Sequence, residues 1–155
     1  MPNTPALIQA GVTGWFAGEG MSSDEKIGMN ELLSSCGYAF EVTEEDHLDI
    51  VTAISGAGPG FFYAVLEAWI AAMKDLPMDE EKKQTALMRT LMGSLLLANT
   101  SEKPLSELRE MVTSRGGTTA AGLEELKKGE LELVFRKMLE AAVRRARELS
   151  GKTHG

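Results

Sequence analysis

Six residues, Ser114-Arg-Gly-Gly-Thr-Thr119, gather the groups that hold a small anion. They join the end of one helical pattern to the start of another, and the first N–H groups of a helix lack partners while the macrodipole there is positive. Gly116 and Gly117 let a ligand approach the backbone, Ser114, Thr118 and Thr119 supply hydroxyl donors, and Arg115 supplies formal charge. The same residues also suit a plain helix junction, with the glycines as a C-terminal stop and a threonine as the next N-cap. Composition alone leaves both readings open.

A second glycine segment, Ser55-Gly-Ala-Gly-Pro-Gly60, is not a Walker A loop, because no Lys-Ser or Lys-Thr follows it. Its alternative reading is a helix break that allows close packing. His47 lies eight residues before Ser55, and Asp46, His47 and Asp49 read as an exposed first turn rather than as a proton-transfer set. Cys36 is the one cysteine and falls on the stripe Met29, Leu32, Leu33, Cys36, so a core thiol is expected. With only His47 and His154 beside it, no zinc-type spacing exists and no metal ligands are assigned.

The elements that must position these loops begin with a strand, helix, strand unit. Ala6 to Ala17 reads as one or two short strands. Ser22 with Glu25 forms a capping box, Gly37 stops the helix, and Tyr38 to Val42 is strand-like. From Thr43 the pattern is helical: Glu44 to Ile54, Gly60 to about Lys74, a helix opened by Pro77 and Asp79, one opened by Pro104, a short one from about Thr119 to Lys127, and a last one beyond Gly129. The expected fold is mainly α: a helical dimerisation domain with interleaved helices over 43–150, preceded by a partial α/β segment over 1–42, with 151–155 as a flexible tail.

The chain has 155 residues, 43% hydrophobic, with a net charge of -7. That balance offers no basic face to nucleic acid. The longest apolar run, Gly56 to Met73, contains Glu67 and falls short of the roughly 20 uncharged residues of a membrane span. Neither a membrane nor a nucleic-acid partner is expected, and the absence of a signal-peptide pattern favours the cytoplasm. Phe61, Phe62, Val65, Leu66, Trp69, Ile70 and Met73 wrap most of one helix, more apolar surface than one small monomer hides, so a homodimer is expected.

Asp49-Ile-Val-Thr-Ala-Ile-Ser-Gly-Ala-Gly-Pro59 and Val112-Thr-Ser-Arg-Gly-Gly-Thr-Thr119, in this order behind Met1-Pro-Asn-Thr-Pro5, resemble three signatures of the pyrroline-5-carboxylate reductase family. The resemblance spans essentially the whole chain. It implies reduction of 1-pyrroline-5-carboxylate to L-proline with NADP or NAD as cofactor, in proline biosynthesis. By the same resemblance Ser114, Gly117, Thr118 and Thr119 hold the substrate carboxylate, and the Thr119 hydroxyl approaches the ring nitrogen as the catalytic group. Asn3, Thr4 and Pro5 match the nicotinamide-side wall, and the loop is supplied across a homodimer that the family assembles further.

Two residues depart from the pattern: Arg115 stands where the family usually has proline, and Ala57 where it often has serine. The larger departure is that no G-x-G-x-x-G fingerprint occurs ahead of an acidic residue, so the sequence predicts poor dinucleotide binding and no turnover by this chain alone. Two readings follow. One is a pyrroline-5-carboxylate reductase or its C-terminal portion; the other is a non-enzymatic dimerisation or small-anion-binding module on that scaffold.

Overall fold

Two short strands pair in parallel at the start of the chain: β1 (Gly11–Phe16) and β2 (Gly37–Val42), in register from Gly11 opposite Gly37 to Phe16 opposite Val42. Parallel neighbours need a crossover, and helix α1 (Ser23–Ser34) provides it. These coordinates are a computed structural model and describe residues 1–151. The rest of the expected tail, with His154, lies outside the described residues.

Helix α1 starts where local chemistry dictates. The Ser22 side chain accepts from the Glu25 N–H at 3.3 Å, and the Glu25 carboxylate accepts from the Ser22 N–H at 2.8 Å. Hydrogen bonds from the Ser22 hydroxyl and then from its backbone hold the Glu25 carboxyl below the usual carboxylate range. The N-terminal segment differs from the expected strand: Thr4–Ile8 is a 3-10 helix with Pro5 in its first turn, ending at Gln9 with φ 59°. Proline fixes φ and withdraws an N–H, which favours this turn over strand extension until Gly11. Cys36 is also corrected, because it is exposed together with Ile27 and Leu32. Periodicity defines a shared face, but a two-stranded sheet is too narrow to cover it.

Helix α2 (His47–Val51) runs through a π-helical turn (Thr52–Gly56) into α3 (Gly58–Ala72). The glycine segment is therefore shared between the end of the π-turn, at Ser55 and Gly56, and the first turn of α3, rather than being the break expected from sequence. Ala57 donates its N–H to the Thr52 carbonyl at 2.8 Å, five residues back. Thr52 Oγ1 and Ser55 Oγ donate to the Leu48 and Val51 carbonyls at 2.7 and 3.0 Å, the back-bonding that bends helices. Val51 packs against β1 at Gly14, where an added Cβ would lie 2.7 Å from a Val51 methyl. Asp49, expected to be exposed, is buried, and its carboxylate accepts from Ser150 Oγ at 3.4 Å. The end of the last helix covers this face, a long-range contact that no local pattern reveals.

The chain forms two compact units: Met1–Val65 together with the chain from Phe135 onward, and Leu66–Val134. The first has Trp15, Val42, Val51, Ala53 and Ala146 as its core. The second holds α4 (Glu80–Thr100), α5 (Leu105–Met111) and α6 (Thr118–Lys128), between the last turns of α3 and the first turn of α7 (Leu131–Leu149). Asp79 caps α4 by accepting from the Lys82 N–H at 3.0 Å. Lys83, only 4% exposed, donates to the carbonyls of Met73, Lys74 and Leu76 at 2.7, 3.2 and 3.2 Å and pairs with Glu80 at 2.8 Å. The chain between α3 and α4 has no glycine cap, and this ammonium satisfies the carbonyls left over.

The fold is mainly α with a small strand segment, as the sequence implies. Much apolar helix surface stays uncovered within one chain: Trp69 is 48% and Leu96 62% exposed, with Tyr63, Val65, Met92 and Leu95 also exposed. By length and composition the helical run His47–Ala72 is apolar enough to cross a membrane, with only 17% of its most apolar window buried. Isolated exposed apolar residues are ordinary; contiguous helix faces of this kind mark an interaction surface.

Candidate functional site

The loop between α5 and α6 is built by closing one helix and opening the next. Val112 and Thr113 N–H groups donate to the Arg109 and Glu110 carbonyls, and Thr113 Oγ1 donates to Arg109 O at 2.6 Å, which satisfies the end of α5. The chain then reverses in a turn closed by the Gly117 N–H to the Ser114 carbonyl at 3.0 Å. Gly116, third in that turn, has φ 72°, the left-handed value that a type II turn demands of its third residue.

Gly117 is the N-cap of α6, with φ -78° and ψ 171°, and no side chain caps the helix. The threonine cap of the helix-junction reading is absent: Thr118 is already the first helical residue. The first backbone bond into α6 runs from Ala121 N–H to Gly117 O at 3.2 Å, which leaves the N–H groups of Thr118, Thr119 and Ala120 without helical acceptors. An added Cβ on Gly117 would stand 2.3 Å from Ser114 Oγ, so the missing side chain is what lets the Ser114 hydroxyl lie over the helix entrance. Ser114, Arg115 and Thr118 are exposed and Thr119 is half-buried. Arg115 forms no ion pair among the described residues. The arrangement can receive a carboxylate on backbone N–H groups with hydroxyls beside them.

The other compact unit has an apolar cavity of about 710 Å³ between the β2 face and the α2–α3 stretch. Its walls include Val12, Tyr38, Phe40, Val42, Ile54 and Phe62, and the Tyr38 and Phe40 rings stack at 5.5 Å. The polar groups at its edge are Asn3, His47 and Ser55. Asn3 is already engaged: its Nδ2 donates to Ser55 O at 3.0 Å and its Oδ1 accepts from Val12 N–H at 2.8 Å. One Nδ2 hydrogen and one Oδ1 lone pair remain for a ligand. Thus Asn3 ties the first residues to both β1 and the π-turn.

Of the residues singled out in sequence, Asn3 reaches the cavity with Ser55 and Pro59 of the second glycine segment. Thr4 and Pro5 sit in the 3-10 helix and do not line it. Ser114, Gly117, Thr118 and Thr119 come together at the α6 entrance, in the unit Leu66–Val134. Sequence reasoning missed Lys83, although its position four residues before Leu87 on the apolar stripe of α4 was a usable signal. It also missed the internal commitment of Asn3, whose partners lie 9 and 52 residues away.

Comparison with known proteins gives a consistent result. Residues 45–149 match the family described as pyrroline-5-carboxylate reductase dimerisation. The chain is 40% identical over 152 residues to the pyrroline-5-carboxylate reductase of Staphylococcus haemolyticus, covering 97% of this chain and 55% of that protein. It is 37% identical over 150 residues to the Staphylococcus aureus (strain COL) enzyme, again covering 97% of this chain and 55% of the relative. Among solved structures, the pyrroline-5-carboxylate reductase from Coxiella burnetii superposes with a TM-score of 0.91 at 36% identity, over 96% of this chain and 55% of that one. The Plasmodium falciparum pyrroline carboxylate reductase with NADP bound gives 0.86 at 31% identity, over 96% and 60%. The chain therefore spans little more than half the length of the relatives it matches.

Proposed function

We propose, for a chain that belongs to the pyrroline-5-carboxylate reductase family through its dimerisation region at residues 45–149, that it supplies the substrate-carboxylate loop and the two-fold interface of an enzyme reducing 1-pyrroline-5-carboxylate to L-proline. The observation that carries this reading is the uncapped α6 entrance, with Gly116 at φ 72° and Ser114 Oγ laid against Gly117. Positive partial charge and free N–H groups there complement a carboxylate.

In this reading the substrate carboxylate accepts from the N–H groups at Thr118 and Thr119 and from the Ser114 and Thr118 hydroxyls. The Thr119 hydroxyl faces the ring nitrogen and orients the proton that nitrogen gains as hydride adds to the adjacent carbon. A reduced nicotinamide supplies the hydride when bound. The apolar cavity beside Asn3 fits the ring end of such a cofactor in size and lining. No glycine fingerprint for the pyrophosphate is present in the sequence, so NADP or NAD binding by this chain alone is expected to be weak.

Two copies complete the unit, each lending its 114–119 loop across the two-fold axis to the other's cofactor side. The exposed faces of α3 and α4 support this, and they suit a second copy better than lipid because the family match spans them. The match also supports a functional boundary near residue 43, with 1–42 as the last part of a dinucleotide-binding domain and 43–150 as the dimerisation and substrate-binding part. Higher assembly and a cytoplasmic location belong to the same proposal.

Calorimetry with L-proline tests the loop. Binding that is lost on Thr119→Ala and on Ser114→Ala is the expected result, and an unchanged affinity in both variants overturns the assignment. Reduction of the imine by NADPH with the purified chain separates the two functional readings. Proline binding without turnover leaves the chain as the substrate half of the enzyme; absence of both leaves the dimerisation module.

A further inference from the structure

Three polar side chains stand on the edge of the apolar cavity, and they differ in how far they are already engaged. Ser55 has given its hydroxyl hydrogen to Val51 O, and Asn3 is divided between Ser55 and Val12. His47, expected from sequence on an exposed first turn, is half-buried and lines the cavity, with its Nδ1 held by Thr43 Oγ1 at 3.4 Å. The ring has no further partner among the described residues. Its Nε2 is therefore uncommitted, and in a neutral imidazole that nitrogen offers a single donor or a single acceptor, according to the tautomer. Position adds a length. His47 precedes Ser55 by eight residues of continuous helical chain, about 12 Å along the axis at the rise of an α-helix. The cavity thus has one polar end at Asn3 and Ser55 and another at His47, with Ile50, Val51 and Ile54 between them. A few polar groups set around apolar walls are what fix the orientation of a bound ligand.

We infer that His47 receives the ribose next to the cofactor's nicotinamide, its Nε2 bonding a sugar hydroxyl while the ring lies at the Asn3 end. This rests on the cofactor reading of the cavity given above. The carboxamide belongs at the opposite end, because Asn3 keeps one hydrogen and one lone pair, the complement of an amide. The separation of the two polar ends then calls for a ring with its sugar, since the ring alone does not reach from one to the other. A hydroxyl suits His47 because it both donates and accepts, and so satisfies either tautomer. A phosphate suits this end poorly. Glu44, Glu45 and Asp46 immediately precede His47, and no lysine or arginine lines the cavity to offset them.

The test titrates the unaltered chain, His47→Leu and His47→Gln with two probes, reduced nicotinamide riboside and N-methyldihydronicotinamide, which is the same ring without the sugar. Neither probe needs the pyrophosphate fingerprint that the sequence lacks, and the NMR signals of the Tyr38, Phe40 and Phe62 rings report binding in the cavity. The riboside should bind about fivefold more tightly than the methyl compound to the unaltered chain and to His47→Gln, which keeps a donor and an acceptor, but less than twofold more tightly to His47→Leu. An equal advantage in all three proteins overturns the inference. An advantage lost in both variants also overturns it, because restoring the hydrogen-bonding groups would then restore nothing. If neither probe at millimolar concentration moves the cavity ring signals, the cofactor reading of the cavity falls and this inference with it, while L-proline binding by the same chain tests the carboxylate loop separately.

Discussion

Replacing Gly117 by alanine perturbs the proposed carboxylate seat in a way the geometry makes specific. At φ -78° and ψ 171° the backbone accepts any L residue, so the change introduces no torsional strain. The new methyl would sit 2.3 Å from Ser114 Oγ and 3.2 Å from Ser114 O. The hydroxyl must rotate away, while the carbonyl has to give by only a few tenths of an ångström. If Ser114 donates to a bound carboxylate, that bond is worth about 1.5–3 kcal/mol, or roughly 10- to 150-fold in the dissociation constant. Gly117→Ala should therefore weaken L-proline binding by about as much as Ser114→Ala does. In the double variant the second substitution should add less than threefold, because the hydroxyl it displaces is already gone. Calorimetry on the four proteins closes the cycle. Fully additive losses would mean that Gly117 is not making room for a ligand-binding hydroxyl, and the seat as described would be wrong.

Other perturbations have equally defined outcomes. Arg115→Pro places proline second in the turn, where its fixed φ suits the type II geometry and no Arg115 N–H bond is lost; a gain of about 0.4–1 kcal/mol in unfolding free energy is expected, and a loss would contradict the turn assignment. Lys83→Met keeps the packed stem but removes the ammonium from three carbonyls. The expected cost is about 2–4 kcal/mol, read at fixed protein concentration as a melting temperature roughly 5–15 °C lower; a shift under about 2 °C would show that solvent replaces the cap. Glu25 has a folded-state pKa lowered by Ser22, so its contribution is present above the ordinary carboxylate pKa and is lost as pH falls through the lowered value. Glu25→Gln should flatten the acid limb of the melting-temperature profile, and an unchanged limb would remove the capping box from the account.

What the sequence made legible was chemistry acting over a few residues. The Ser22–Glu25 box and the start at Asp79 depend on neighbours within one turn and stand where the pattern put them, while α1 ends at Ser34, ahead of the expected stop at Gly37, and α6 opens at Thr118, one residue before the expected start. The stripe ending at Cys36 was correct as a face and wrong as a core, since periodicity cannot say whether a covering layer exists. Asp49 was misjudged for the converse reason: its partner Ser150 is 101 residues away. The π-turn uses ordinary helix-forming and helix-breaking residues, and neither its five-residue backbone bond from Ala57 to Thr52 nor the back-bonds of Thr52 and Ser55 beside it can be read from composition. In the site, the hydroxyls and glycines were visible, but the clearance of Gly117 for Ser114 was not.

The π-turn also acts as a one-residue phase shifter between α2 and α3. An α-helix advances by about 100° per residue, so the extra residue held by the Thr52–Ala57 bond rotates everything after it by that angle about the helix axis. Phe62, one turn beyond this offset, lines the cavity. Removing one residue between Thr52 and Ala57 would restore regular helical bonding and yet swing Phe62 off the cavity wall, so the spacing across this segment is as much a determinant of the site as any side chain that lines it.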